Sequence, residues 1–220
     1  MTERDSGNRY KQARERMVEQ QLRRRGISDE RLLEAMRKVP RHEFVPPGAR
    51  SAAYSDRPLS IGAGQTISQP YMVAYMVEQL EAGPDDRILE VGAGSGYQAA
   101  ILAELADEVY AIEYLQELAD KARETVQRLG YDNVHIITGD GSKGYAEAAP
   151  YDGIIVAAAA PKISPAWKEQ LAEGGRIVAP VGSRGSQICV VARMVDGELQ
   201  TVSKLGCVFV PLLGKYGFGG

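Results

Sequence analysis

A glycine-rich loop at the end of a buried strand constrains the fold more than any other feature of this chain. The segment 87–97, RILEVGAGSGY, is an apolar run that breaks into three glycines at alternate positions. Gly92 permits a tight turn, Gly94 lets a ligand approach the backbone, and Gly96 lets the following helix pack close to the strand. The pattern predicts a strand, a tight loop and a helix start whose free N–H groups suit an anionic or polar ligand.

An acidic residue at the end of the next strand favours a nucleotide-like ligand. Glycines after a strand often form only a turn, so the loop alone leaves both interpretations open. Glu113 closes the β-type run 108–112 and follows Gly92 by 21 residues. A carboxylate about 20 residues after such a loop is placed to accept hydrogen bonds from a ribose diol. The alternative is a solvated carboxylate at a strand end.

Strands and helices alternate from residue 84 onward, which indicates a doubly wound α/β sheet. The most apolar run, 151–160, is typical of a central parallel strand that is covered on both faces. Three β-type runs follow it, and Asp196-Gly197 joins the last two as a hairpin turn. We predict a mostly parallel seven-stranded sheet with an antiparallel edge.

A second candidate ligand contact follows the predicted strand 134–138. Asp140 lies between Gly139 and Gly141, directly after that strand. The carboxyl ends of parallel strands form the ligand edge of such a sheet, so we expect this carboxylate there. Because D-G is also a common turn dipeptide, a purely turn-forming Asp140 is the alternative.

A second helix start lies upstream, in the segment 64–80, GQTISQPYMVAYMVEQL. Pro70 suits a first helical turn, and the apolar spacing predicts a helix that begins just after Ser68. Ser68 is then the natural N-cap. Thr66, Ser68 and the free N–H groups of the first turn can also form a neutral, hydrogen-bonding nest for a carboxylate. One residue can serve both purposes.

The residues before the glycine loop predict an extension rather than a separate domain. We expect residues 1–80 to form a helical and substrate-loop extension packed on the domain 81–220. The basic cluster Arg23–Arg25 is typical of a helix end that faces water. The segment 41–64 carries many prolines and glycines together with embedded apolar residues, so we expect an irregular loop that folds over something.

Composition argues against several classes of protein. A net charge of −3 and a pI near 5.6 offer no electrostatic reason to expect nucleic acid as a partner. No apolar run approaches the length of a membrane span, and no leader-like segment begins the chain. A cytoplasmic location is therefore the default expectation. Cys189 and Cys207 lie within β-type runs and lack C-x-x-C spacing, so buried, reduced thiols are expected.

Several motifs in order resemble the protein-L-isoaspartate O-methyltransferases, a family with the class I, S-adenosylmethionine-dependent methyltransferase fold. The motifs shared with many methyltransferases are EVGAGSGY, Glu113 and the GDG at 139–141. The family-specific motifs are GQTISQPYMVAYMVEQL, AAAAP after the central strand, EGGRIVAPVG and FVPL. The resemblance covers roughly Met17 to the C-terminus. It implies an enzyme that methylates L-isoaspartyl residues of damaged proteins and peptides and so starts their repair through a succinimide. We expect a monomer, although the sequence itself does not fix the oligomeric state.

The resemblance also implies roles for individual residues. The cofactor contacts lie along one sheet edge: Gly92, Gly94, Gly96, Glu113, Asp140 and Gly141. The glycines of the loop would line the methionine and ribose portion, Glu113 would bind the ribose hydroxyls, and Asp140 with Gly141 would meet the adenine. Ser68 would be the active-site serine, and Thr66 a neighbouring substrate contact. The tail after Leu213 carries no assigned role, and no metal is implied.

Other functions remain open at this point. A nucleic-acid N-methyltransferase usually has a D/N-P-P-Y type motif after the fourth strand, where this chain has Ala157–Pro161. A nicotinamide-dependent oxidoreductase shares the ribose-binding logic, but the loop here is G-x-G-x-G rather than G-x-G-x-x-G. A methyltransferase acting on a small molecule and a non-catalytic ligand-binding module are the further alternatives.

Overall fold

A seven-stranded sheet organises the structure, a computed structural model that describes residues 3–218. The strands are β1 (Leu59–Gly62), β2 (Gln65–Ile67), β3 (Arg87–Val91), β4 (Glu108–Glu113), β5 (Val134–Thr138), β6 (Tyr151–Val156), β7 (Leu171–Ser183), β8 (Ser186–Val195) and β9 (Glu198–Cys207). The main sheet has the order β5-β4-β3-β6-β7-β8-β9, and β1 pairs with β2 separately. β3 to β7 are parallel, whereas β8 and β9 are antiparallel. The predicted fold class is confirmed.

Helices cover both faces of this sheet. They are α1 (Glu3–Met17), α2 (Glu30–Lys38), α3 (Pro70–Leu80), α4 (Tyr97–Ala103), α5 (Gln116–Arg128) and α6 (Pro165–Gln170). α1 continues through a π-helical turn, Val18–Leu22, and a 3-10 turn, Arg23–Arg25, which ends where Gly26 adopts φ +95°. In the part of the chain that the structure describes, no helix is long and apolar enough to cross a membrane.

The sheet separates two hydrophobic layers because alternate residues of each strand face opposite sides. On β3, Ile88 packs into the layer that also contains Met17 and Met36 from the N-terminal helices. Leu89 of the same strand faces the other layer, which contains Trp167 of α6. The extension 1–80 therefore contributes to one of the two layers. A boundary between residues 80 and 81 stays a prediction.

Arg23 and Arg25 of the basic cluster Arg23–Arg25 form ion pairs in addition to facing water. Arg23 forms an ion pair with Glu30 at 2.6 Å, and Arg25 pairs with Asp56. The Arg25 guanidinium also lies 3.5 Å from the centre of the Tyr71 ring. All three arginines are exposed in the last turn of the helical segment, so the expectation of a helix end that faces water is confirmed, with the contacts of Arg25 to Asp56 and Tyr71 in addition.

The segment 41–64 is more regular than predicted. It contains two short 3-10 helices, Arg41–Phe44 and Pro47–Ala52, and then the strand β1. β1 and β2 form a hairpin whose turn places Ala63 and Gly64 at positive φ. A four-residue strand between glycines and a proline leaves too short a pattern for sequence analysis to identify.

Candidate functional site

A cleft at the carboxyl ends of β3, β4 and β6 brings most of the predicted site residues together. Its lining includes Thr66, Gly92, Gly94, Ile112, Glu113, Leu115, Gly141, Ala157, Leu212 and Leu213. A second cleft adjoins the first, shares Thr66 and Ala157 with it, and adds Ser68. Four cofactor candidates, Gly92, Gly94, Glu113 and Gly141, and both substrate candidates line these adjoining clefts, whereas Gly96 and Asp140 line neither.

The glycine loop has the backbone geometry that its sequence predicts. Gly92, Gly94 and Gly96 adopt φ values of +91°, +54° and +82°, which residues with a Cβ rarely adopt. The role of Gly96 differs from the prediction in one respect. A Cβ there would lie 3.2 Å from Val126 and 3.3 Å from Ala122, so the close neighbour is α5 and not the preceding strand.

Glu113 ties the glycine loop to the end of β4. Its Oε2 accepts a hydrogen bond from the Gly94 N–H at 2.8 Å, and its Oε1 accepts one from the Leu115 N–H at 2.9 Å. The residue is only 6% exposed, so the alternative of a solvated carboxylate is wrong. Each oxygen keeps a further lone pair that can accept a ligand hydroxyl.

Asp140 binds the C-terminal segment, which sequence analysis left without a role. Its Oδ1 accepts from the Ser142 N–H and hydroxyl at 3.0 and 2.6 Å, and its Oδ2 accepts from the Lys215 N–H at 2.9 Å. Partial burial raises the pKa of Asp140, but these hydrogen bonds outweigh it and hold the pKa below its ordinary value. Asp140 therefore forms a turn and also fixes residues 212–216 beside the cleft.

The sequence signal for this contact was Gly214. It has φ +116°, and a Cβ there would lie 1.9 Å from the Asp140 Oδ1, so only glycine fits. The Tyr216 N–H donates to the Ser142 hydroxyl at 3.0 Å. Together these contacts place Leu212 and Leu213 in the wall of the cleft.

Gly141 is fixed from beneath by α6. A Cβ at Gly141 would lie 2.8 Å from the Val91 side chain, so this position has no room for a larger residue. The indole N–H of Trp167 donates to the Gly141 carbonyl at 2.9 Å, and the Ser164 hydroxyl donates to the Ser142 carbonyl at 2.7 Å. Trp167 is fully buried. The floor of the cleft therefore depends on α6, which itself lies outside it.

In the segment named here the Thr66–Ser68 turn, the chain leaves β2, which includes Thr66 and ends at Ile67, and leads into α3. One prediction is corrected there. α3 begins at Pro70, its N-cap is Gln69, and no side chain caps it. The expectation that Ser68 caps this helix is wrong, because proline at the first helical position moves the cap to the residue before it. The Ser68 carbonyl accepts a hydrogen bond from the Arg41 guanidinium at 2.7 Å. Thr66 and Ser68 both line the second cleft.

Glu90 is a candidate site residue that sequence analysis missed. It is fully buried in β3, where its Oε1 accepts from the Gln98 amide at 3.0 Å. Its Oε2 has no hydrogen-bond partner within residues 3–218. It lines a small pocket that also touches Ser68 and Gly94. Burial raises the pKa of Glu90 well above its ordinary value, despite the bond from Gln98. An acidic residue inside the apolar run RILEV was the available signal.

The two cysteines differ in exposure, contrary to the expectation that both are buried. Cys189 is buried, and burial raises its pKa to about 12. Cys207 is half-buried and lines the second cleft together with Ser68 and Val208. Burial raises the pKa of Cys207 as well. Both thiols are free.

Comparisons with known proteins agree on one family. The family model described as protein-L-isoaspartate(D-aspartate) O-methyltransferase matches residues 12–217. A protein-L-isoaspartate O-methyltransferase of Methanoculleus marisnigri is 54% identical over 207 residues, covering 94% of each chain. One of Geobacter metallireducens is 54% identical over 208 residues, covering 94% of this chain and 96% of the relative.

Solved structures give the same result. A structure described as a protein-L-isoaspartate O-methyltransferase superimposes with a TM-score of 0.84 at 32% identity, covering 93% of this chain and 67% of the other. A beta-aspartate methyltransferase of Plasmodium falciparum, in complex with S-adenosyl-L-homocysteine, gives a TM-score of 0.77 at 25% identity, covering 90% and 97% of the two chains.

Proposed function

The chain belongs to the protein-L-isoaspartate(D-aspartate) O-methyltransferase family, and we propose on this basis that it methylates the free carboxylate of L-isoaspartyl residues in damaged proteins and peptides. The methyl donor is S-adenosylmethionine. The methyl ester then cyclises to a succinimide, whose hydrolysis partly restores normal aspartate. The match across residues 12–217 carries this conclusion, because it includes both the cofactor loop and the Thr66–Ser68 turn.

The chemistry of the cleft fits S-adenosylmethionine. Glu113 offers acceptors for the ribose diol, and the glycine loop brings backbone next to the ligand without side chains. Ile112 and Leu212 line the same cleft as Gly141 and provide apolar contacts for the adenine. When bound, the cofactor supplies a methyl group on a sulfonium. We propose that Glu113, Gly92, Gly94 and Gly141 hold it.

Glu90 fits the cationic end of the same ligand. A buried carboxyl oxygen without a donor is costly, and the ammonium of the methionine portion would provide the missing donor. The pocket beside Glu90 lies between the glycine loop and the Thr66–Ser68 turn. We propose that Glu90 binds this ammonium in its ionised form and that Gln98 orients the carboxylate.

Replacing Glu90 by Gln is expected to stabilise the ligand-free protein more and more as the pH rises. Because the folded-state pKa of Glu90 is raised, its contribution to stability is full below the unfolded pKa of about 4.3. That contribution is lost as the pH rises through the folded pKa, whereas Gln does not titrate. Urea unfolding of both proteins between about pH 5 and about pH 8 measures the difference.

The exposed Glu169→Gln change on α6 provides the control, because it removes a carboxylate that is not buried. The same Glu90→Gln variant should bind S-adenosylhomocysteine about tenfold more weakly at neutral pH, because an ion pair has become a neutral contact. A stability difference that shrinks with rising pH would contradict the raised pKa.

The reaction needs orientation more than acid–base chemistry. A substrate carboxyl with a pKa near 4 is already ionised at neutral pH, so no general base is required. Holding the carboxylate oxygen in line with the methyl group and the sulfur can contribute roughly 7 to 11 kcal/mol in favourable cases. We propose that the hydroxyls of Thr66 and Ser68 hold it through neutral hydrogen bonds. A direct cationic contact would bind the carboxylate more tightly but make it less nucleophilic.

The Ser68→Ala variant is expected to lose activity without losing stability. The hydroxyl caps no helix, so the free energy of unfolding should change by less than about 0.5 kcal/mol. Loss of a hydrogen bond to a carboxylate should lower kcat/KM for an isoaspartyl peptide by about tenfold or more. Ser60→Ala, on the strand paired with Thr66, is the matched control. Unchanged kinetics together with unchanged stability would exclude Ser68 from the site.

The function itself is tested by radioactive methyl transfer to an isoaspartyl peptide, with its aspartyl twin as the control. Base-labile incorporation into the isoaspartyl form alone supports the proposal. Incorporation into neither peptide, together with normal binding of S-adenosylhomocysteine, would favour a module without turnover.

A cytoplasmic location and a monomeric state are further proposals. The two free thiols support a reducing compartment, because oxidising compartments favour disulfides. Residues of both the N-terminal extension and the sheet share one hydrophobic layer, which gives a single chain a complete core. Sedimentation of the purified protein would test the oligomeric state.

A further inference from the structure

Arg41 is a fully buried cation directly behind the substrate turn. None of its surface is exposed. Its Nε donates to the Ala53 carbonyl and its Nη2 donates to the Ser68 carbonyl, both at 2.7 Å. The guanidinium lies 4.8 Å from the centre of the Tyr97 ring. Its Nη1 has no acceptor within residues 3–218. The side chain therefore joins the 3-10 segments, the Thr66–Ser68 turn and the start of α4.

No carboxylate neutralises this charge directly in the part of the chain that the structure describes. Asp56, three residues after Ala53, is already paired with Arg25. Burying a guanidinium is costly unless a counter-ion accompanies it, and a neutral side chain could donate to the same carbonyls. The two hydrogen bonds to carbonyls therefore do not explain why this buried side chain is positively charged.

Among the described residues, the second cleft has no charged side chain in its lining, and the carboxyl of Glu90 lines the small pocket beside it. Thr66, Ser68 and Ala157 line the second cleft, and each offers only hydroxyl, methyl or backbone groups. Because Arg41 is completely buried, it cannot touch a substrate. Its charge can still act across one layer of protein, where the effective dielectric constant is low and salt screens weakly.

We propose that Arg41 sets the charge selectivity of the substrate site by attracting an anionic group to the Thr66–Ser68 turn without contacting it. It is a positioning residue, since it also holds the Ser68 carbonyl. The carboxylate is drawn in by a distant charge and held by neutral hydroxyls, so it stays nucleophilic. The proposal rests on the proposed function and adds a residue that selects for the charge of the substrate.

The test compares an isoaspartyl peptide with its neutral isoasparaginyl analogue. Dissociation constants of both are measured by calorimetry with S-adenosylhomocysteine present, so that no turnover occurs. In Arg41→Gln, binding of the isoaspartyl peptide should weaken about tenfold or more, and binding of the neutral analogue less than about twofold. Arg41→Lys should restore most of the preference, because it keeps the charge. Affinity for S-adenosylhomocysteine should not change.

Arg31→Gln is the matched control. Arg31 also donates to two backbone carbonyls, of Ala82 and Leu105, but at the opposite edge of the sheet. This variant should keep the preference for the charged peptide. Equal weakening of both peptides in Arg41→Gln would overturn the proposal, since Arg41 would then only shape the turn.

A measurement on the unmodified protein covers the case in which Arg41 variants do not fold. The preference for the charged peptide should persist at about 0.5 M salt, because a buried charge is screened much less than a surface charge. Its disappearance would assign the preference to surface lysines and arginines and overturn the proposal. Failure of the function itself is separate, since it would appear as absent methylation by the unmodified protein.

Discussion

We expect the Glu113→Ala variant to bind S-adenosylhomocysteine about a hundredfold more weakly than the unmodified protein. The carboxylate is proposed to accept the ribose hydroxyls, and hydrogen bonds to charged groups contribute about 1.5 to 3 kcal/mol each. The substitution also removes the acceptor of the Gly94 and Leu115 N–H groups, so the loop loses its anchor. Isothermal titration calorimetry of the two proteins measures the loss.

The control for this variant lies on the same strand. Glu108→Ala removes a carboxylate from the opposite end of β4, where Glu108 pairs with His135 near the surface. It should leave the affinity for S-adenosylhomocysteine within about twofold. If Glu113→Ala bound the ligand as tightly as Glu108→Ala does, the ribose contact would have to be sought elsewhere in the cleft.

Trp167→Ala is expected to cause the largest loss of stability, about 3 to 5 kcal/mol. The indole is fully buried in the layer below the sheet, so its removal leaves a large cavity. It also leaves the Gly141 carbonyl without its donor. Trp167→Phe keeps much of the ring and loses the hydrogen bond, so it should cost less than the Ala variant, about 1 to 3 kcal/mol.

Urea unfolding followed by circular dichroism measures both variants, since Trp167 is the sole tryptophan and fluorescence would be lost. We expect Trp167→Phe to weaken S-adenosylhomocysteine binding as well, because the Gly141 floor loosens. Equal stability losses for Phe and Ala would show that the hydrogen bond, rather than packing, dominates.

The fold was predictable because its signals are local. The runs that become β3 to β6 are largely apolar, and helices follow β3, β4 and β6 along the chain. The Glu113–Gly94 bond also belongs to a short motif, with partners only 19 residues apart. In a parallel sheet, the loops that follow the carboxyl ends of the strands all lie at one edge, and ligands bind there. The position of the cleft therefore followed from the alternation of strands and helices.

The remaining site contacts join residues that are distant along the chain. Asp140 and Lys215 are 75 positions apart, and Arg41 lies 27 positions from Ser68. No sequence periodicity connects the members of such pairs. Taken alone, Asp140 is interpreted as a turn residue and Arg41 as an ordinary surface charge. For Ser68 the local sequence pattern was misleading. It indicated a helix cap, but Pro70 occupies the first helical position, so Gln69 is the N-cap. The roles of individual site residues stay predictions.

The unequal burial of the two cysteines equips the protein with a natural attachment point for a fluorescent probe. Cys189 is inaccessible, whereas Cys207 is partly exposed beside Ser68 at the second cleft. A thiol-reactive dye would therefore modify Cys207 selectively, and mildly alkaline conditions would help because burial raises the pKa of this thiol. The fluorescence of the attached dye would report peptide binding at the second cleft, and no engineered cysteine would be needed.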